Sequence, residues 1–87
     1  MSIRGDEWLA FAQVVHGHIE SYTVPQYGDK GKDLATAYTP EHCIAQIKKY
    51  AARAGSNQRD GQEALDLLKI AHYAQMAHRL LTVSEVG

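Results

Sequence analysis

The sequence predicts an all-α fold: a three-helix array that ends in an antiparallel helical hairpin and assembles as a homo-oligomer. Two segments repeat apolar residues at helical spacing. A third segment carries apolar residues around much of its circumference, which a single neighbouring helix would not cover. With 87 residues the chain has room for one domain, 1–87, and buries only roughly 60 to 65% of its unfolded surface. A second copy would therefore add stability.

The first helix is predicted over residues 6–23. Asp6 follows a glycine and can cap the helix, and a stripe of apolar residues then recurs at alternating spacings of four and three. The stripe consists of Trp8, Ala12, Val15, Ile19 and Tyr22. Because the residue before a proline avoids the α region, the helix is expected to end before Pro25. Residues 24–39 are predicted to form a loop.

The second and third helices are predicted over residues 40–54 and 62–81. Thr39 is the expected N-cap of the second helix, with Pro40 at its first position. Gly55 is the expected residue just beyond its end, and the polar segment 56–61 is turn-prone. These signals predict the antiparallel hairpin, followed by a frayed tail at 83–87.

The composition is that of a globular protein without a strong overall charge. Apolar residues make up 45% of the chain and charged residues 22%, and the formal net charge is −1. This balance provides no global field that would recruit nucleic acid or a membrane. Cys43 is the single cysteine, and no apolar run approaches the roughly 18 residues of a membrane span. We expect a cytoplasmic protein with no disulfide, no export signal and no membrane anchor.

Two charged patterns stand out on the hairpin. Lys49 and Arg53 are four residues apart and project from one side of the second helix. On the third helix Asp66, Lys69 and Tyr73 are spaced by three and four, so they share one stripe. One interpretation is a ligand site. The other is a structural lock in which Asp66 pairs with Lys49 or Arg53 across the hairpin, and the sequence leaves both open.

The pattern Lys49-Tyr50-x-x-Arg53-Ala54-Gly55, followed by Asp66-Leu67-x-Lys69-x-x-x-Tyr73, resembles a family of short bacteriophage proteins of unknown function, some of them labelled nucleotide kinases. The resemblance covers about residues 39–81. Tyr27 corresponds to a His-Tyr pair near the start of the family pattern, with Gln26 in place of the histidine. The glycine-asparagine pair that precedes the Lys-Tyr element in the family is also replaced.

The resemblance implies a phage-encoded protein that binds a phosphorylated small molecule, a nucleotide or a nucleotide signal, in the host cytoplasm. Such a protein could sequester a signal of host defence. Cationic side chains would contact phosphate and tyrosines would stack on a base. The candidate ligand-binding residues are Lys49, Tyr50, Arg53, Asp66, Lys69, Tyr73, Tyr27 and Lys30. One alternative is a nucleotide kinase without a P-loop, which would need magnesium; another is a module that binds a host protein or DNA.

Several other site types are disfavoured by spacing. The segment Gly28-Asp29-Lys30-Gly31-Lys32 has neither the spacing nor the hydroxyl of a phosphate-binding loop. The histidines lack a His-x-x-x-His arrangement, so no metal site and no resident cofactor are predicted. Residues 44–59 contain four cations and no acid, which would support only weak, salt-sensitive contact with nucleic acid.

Overall fold

The computed structural model describes residues 2–29, 38–56 and 59–83, and all regular structure in these ranges is helical. The all-α prediction is therefore confirmed. None of the described helices combines the length and the apolar content that crossing a membrane requires. The elements are α1 (Ile3–His18), a π-helical turn (Ile19–Thr23), α2 (Val24–Tyr27), α3 (Pro40–Ser56) and α4 (Gln62–Val83).

Together, α1, the π-helical turn and α2 form one helical segment over residues 3–27, which is longer at both ends than the predicted helix 6–23. It begins at Ile3, and the Oγ of Ser2 accepts a hydrogen bond from the backbone N–H of Gly5, so Ser2 is the cap and Asp6 lies inside the first turn. Both residue types are good caps, and the local sequence does not decide between them.

The predicted end before Pro25 is wrong. The N–H of Val24 donates to the carbonyl of Ile19, five residues back, and α2 then continues to Tyr27. This π-helical turn shifts the bonding pattern by one residue and places Pro25 in the first turn of a new helix, where its missing N–H costs nothing. Gly28, with φ of 86°, ends α2. Of the predicted loop 24–39, residues 30–37 lie outside the described ranges.

The hairpin begins as predicted and turns later than predicted. The Oγ1 of Thr39 accepts a hydrogen bond from the backbone N–H of His42 at 3.0 Å, which is the expected cap. However, α3 continues through Gly55 to Ser56, so Gly55 is not the residue beyond the helix end. The left-handed glycine of this turn is instead Gly61, with φ of 78°, directly before α4. Residues 57–58 and 84–87 lie outside the described ranges.

The contacts between α3 and α4 join the end of one helix to the start of the other. Arg53, near the end of α3, bonds to Asp66 near the start of α4, whereas Tyr38, just before α3, contacts Tyr73 further along α4. This order is that of an antiparallel pair. Among the described residues the buried apolar side chains are Cys43, Ala54 and Ala77. Burial raises the pKa of the Cys43 thiol, so the thiol is protonated at neutral pH.

The first helix packs against α4 more lightly. Its predicted apolar stripe is only partly covered: Ala12, Val15 and Ile19 are half-buried, whereas Trp8 and Tyr22 are 60% and 48% exposed. No residue of α1 is buried. The described part of the chain thus consists of a hairpin, which contains the buried residues, and a first helix that is largely open to solvent.

Candidate functional site

The ion pair between Arg53 and Asp66 joins the end of α3 to the start of α4. The Nε of Arg53 donates to Oδ2 of Asp66 at 3.1 Å, and Nη2 of Arg53 donates to Oδ1. Gln62, one turn earlier on α4, donates from Nε2 to the same Oδ1 at 3.0 Å. The Asp66 side chain is fully enclosed, whereas that of Arg53 is 39% exposed. Both carboxylate oxygens are satisfied, and the outer edge of the guanidinium still faces solvent.

These partners keep Asp66 ionised. The hydrogen bond from Arg53 lowers the pKa of the Asp66 carboxyl, and the bond from Gln62 and the charges of Arg53 and Lys69 act in the same direction. Burial opposes them but does not prevail. The pKa of Arg53 is raised, first by its hydrogen bond to Asp66. Both groups are therefore charged at neutral pH.

This pair makes the stability of the fold depend on pH. Because the pKa of Asp66 is lower when folded than its unfolded value of about 3.9, the unfolded chain binds more protons in acid. The contribution is fully present above pH ~4 and is lost as the pH falls through the folded pKa. We expect the unfolding free energy of wild type to fall more steeply below pH ~4 than that of Asp66→Asn, measured by urea denaturation. Equal slopes would contradict this.

Three cationic groups surround the ring of Tyr50. The guanidinium carbon of Arg53 lies 4.7 Å from the ring centroid, and the Nζ atoms of Lys69 and Lys49 lie 5.1 Å and 5.4 Å from it. These distances are within the range of cation–π attraction. The ring of Tyr50 also stacks on that of Tyr73, with centroids 6.0 Å apart and planes inclined by 19°. We call Lys49, Tyr50, Arg53, Asp66, Lys69 and Tyr73 the Tyr50 cluster.

The cluster carries an excess of positive charge. Asp66 neutralises one of its three cations, Arg53. Within the described residues, no carboxylate forms an ion pair with Lys49 or Lys69. Two ammonium groups are therefore held near one ring by helices of the hairpin, and in the described part of the chain neither forms an ion pair, although the charge of Lys69 acts on Asp66 from a greater distance. Such an arrangement attracts an anion.

Tyr73 sits at the centre of the aromatic contacts. Burial raises its pKa to about 12, and neighbouring groups, including Tyr50, Tyr38 and Tyr27, add to the shift. The edge of Tyr38 meets the Tyr73 ring at a centroid distance of 6.4 Å. At neutral pH the phenol of Tyr73 therefore stays protonated. It can donate a hydrogen bond, but it is not a general base at that pH.

The structure brings six of the eight predicted site residues into the Tyr50 cluster. Tyr27, at the end of α2, is 71% exposed and close enough to Tyr73 to influence its pKa. Lys30 lies outside the described residues. The sequence interpretation missed Gln62 and Tyr38. The spacing of four between Gln62 and Asp66 is a signal that could have identified the first; Tyr38 lies outside any periodic pattern, and its contact depends on how the hairpin packs.

A second feature lies beside the cluster on α4. A small depression is lined by Tyr38, His72, Gln75, Met76, Arg79 and Leu80. Burial lowers the pKa of His72, and the nearby His18 of α1 lowers it further, so His72 is neutral at physiological pH. Within the described ranges no three His, Cys, Asp or Glu side chains converge closely enough to hold a metal ion.

The arrangement is suited to binding an anion next to aromatic rings. It offers ammonium groups, an oriented guanidinium and the protonated phenol of Tyr73, and the one carboxylate of the cluster is engaged by Arg53 and Gln62. In comparisons with models of protein families, with curated proteins and with solved structures, the chain has no match.

Proposed function

We propose that the Tyr50 cluster binds the phosphate of a nucleotide or nucleotide signal and that the protein acts as a binder rather than an enzyme. The observation that carries the proposal is the position of Lys49 and Lys69. Their ammonium groups approach one tyrosine ring from two different helices, and no described carboxylate pairs with either. A phosphate carries the charge and the acceptor oxygens that such a pair of donors lacks.

The charged residues of the cluster and Tyr27, which lies outside it, have separate tasks in this proposal. Lys49 and Lys69 contact the phosphate oxygens. Asp66 is a positioning residue: it holds the guanidinium of Arg53 by two hydrogen bonds and leaves the outer N–H groups free to donate to the same anion. Tyr27 is 71% exposed, so its ring is available to stack on a base. Binding by charge and stacking requires no proton transfer and no bond breaking.

The proposed biological setting follows from the sequence resemblance. A phage-encoded binder of this size would act in the host cytoplasm and sequester a nucleotide signal of host defence. We also propose that it acts as a homo-oligomer. The labels of some family members suggest nucleotide kinase activity instead, and that activity would be detected as turnover in the presence of magnesium.

The test is a thermal-shift measurement against mono-, tri- and cyclic nucleotides. A ligand at 100 times its dissociation constant stabilises by roughly 2.7 kcal/mol, which corresponds to a shift on the order of 10 °C in a domain of this size. We expect at least one nucleotide to give such a shift. Lys49→Ala and Lys69→Ala should each remove most of it, because each removes one of the two ammonium groups that approach the Tyr50 ring.

Lys48→Ala is the matched control, because Lys48 is the exposed neighbour of Lys49 in the same helix. It should keep the shift of wild type. The absence of a shift with every nucleotide would contradict the proposal, and so would equal losses in Lys48→Ala and Lys49→Ala. If the bound nucleotide were converted in the presence of magnesium, as detected by chromatography, the protein would be a nucleotide kinase and not a binder.

A further inference from the structure

Two histidines lie at the contact between the first helical segment, residues 3–27, and α4. His18 is the last residue of α1, and α1 packs against α4. His72 lies in the middle of α4, close enough to His18 for the two side chains to influence each other electrostatically. Both residues are half-buried. We call them the histidine pair.

The Nε2 atom of His18 is enclosed and has no hydrogen-bond partner among the described residues. A protonated imidazole carries an N–H donor on each ring nitrogen. Protonation would therefore place a donor at this position, where the described structure provides no acceptor. An enclosed donor without an acceptor is destabilising, and more so when the group is charged. The contact between the two helices is thus poorly suited to a charged imidazole.

The groups that face the histidine pair are phenols and one cation. The ring of Tyr22 lies 5.3 Å from that of His18, and the ring of Tyr73 lies 6.4 Å from that of His72. The remaining two line the depression on α4 together with His72: Tyr38 and Arg79. Within the described ranges no carboxylate forms an ion pair with either histidine. A positive charge on the pair would therefore lie near another cation and without an anionic partner.

We propose that the histidine pair is a pH-sensitive switch: the first helical segment docks on α4 while both imidazoles are neutral and is released when they take up protons. The hairpin is expected to stay folded. The buried side chains of the described chain all belong to it, whereas no residue of α1 is buried. The first segment is therefore the part of the fold that a small change in charge can detach.

The direction of the pH dependence follows from His72. Burial lowers the pKa of His72, and His18 lowers it further, whereas after release the pKa returns to its ordinary value of about 6.5. The released state thus binds more protons, and docking weakens as the pH falls below ~6.5, by up to about tenfold per pH unit for each proton taken up. This window lies above the one in which Asp66 acts, so the two effects are separable. The switch operates without a ligand and does not depend on the nucleotide proposal.

The test uses the fluorescence anisotropy of Trp8, which lies on α1 and is the single tryptophan of the chain. Between about pH 7.5 and about pH 5 we expect the anisotropy to fall, because the released segment moves independently of the hairpin. The near-ultraviolet circular dichroism of the tyrosines should persist. The double variant His18→Gln, His72→Gln should remove the fall, since neither amide titrates. His78→Gln is the matched control, because His78 is an exposed histidine on α4, and it should behave as wild type.

A constant anisotropy over this pH range would overturn the proposal, and so would a fall of equal size in the double variant or the loss of the fall in His78→Gln. If the tyrosine signal disappeared together with the anisotropy, the whole chain would be opening, which would also overturn it. If the double variant does not fold, the wild-type protein still gives an answer by nuclear magnetic resonance. Titration of His72 below pH ~6.5 would support the switch, and titration at or above that value would exclude it.

Discussion

Replacement of Asp66 by alanine is expected to lower the melting temperature substantially, by roughly 5 to 15 °C. Asp66 is the enclosed polar residue on which Arg53 and Gln62 converge, and its loss removes three hydrogen bonds, two of them with a charged donor. This shift corresponds to a loss of about 1–3 kcal/mol in the free energy of unfolding, which is the usual cost of losing hydrogen bonds of this kind. It is not larger because the exposed edge of Arg53 can recover hydration.

Two further variants separate the bonds from the side-chain volume. Asp66→Asn keeps the shape but offers one acceptor oxygen, so its melting temperature should fall between those of wild type and Asp66→Ala. Glu63→Ala is the matched control, since Glu63 is an exposed acid in the first turn of the same helix. The measurement is circular dichroism at 222 nm during heating. If Asp66→Ala melted at the same temperature as Glu63→Ala, the ion pair between Arg53 and Asp66 would contribute nothing to stability.

The residues of the Tyr50 cluster could be predicted because helical spacing fixes which side chains share a face. Lys49 and Arg53 project from one side of α3, and Asp66, Lys69 and Tyr73 from one side of α4. The partner of Asp66 could not be chosen in advance, because Lys49 and Arg53 are both cations on the same side. The packing of α3 on α4 selects Arg53, which lies nearer the turn, and leaves Lys49 beside the Tyr50 ring.

The ends of the helices were harder to predict than the cluster. The restriction before Pro25 is a local preference, and the chain overrides it: Val24 lies in the α region, and the helix continues through the π-helical turn from Ile19 to Thr23 into α2. Judged from the sequence alone, either Gly55 or Gly61 could be the left-handed glycine of the turn. Since Gly61 and not Gly55 has positive φ, the turn is set by where the hairpin reverses, which depends on contacts that are distant in sequence.

Replacement of Tyr50 by alanine is expected to have the largest effect on ligand binding. All three cations of the cluster lie over this ring, and it stacks on Tyr73. Each cation–π contact contributes about 0.5–1 kcal/mol at an exposed position, so losing the ring removes the feature that holds the ammonium groups together. We expect the dissociation constant of the best nucleotide, measured by titration calorimetry, to rise on the order of 100-fold.

The chemistry of the ring can be separated from that of its hydroxyl. Tyr50→Phe keeps the stack on Tyr73 and a face for the cations, so it should retain binding within a few-fold of wild type, whereas Tyr22→Ala removes a half-exposed tyrosine outside the cluster and should have no effect. Unchanged affinity in Tyr50→Ala would place the ligand elsewhere. Loss of affinity in Tyr50→Phe would assign the contact to the phenol oxygen. Only loss in Tyr50→Ala with retention in Tyr50→Phe fits a site in which the ring organises the charges that bind the phosphate.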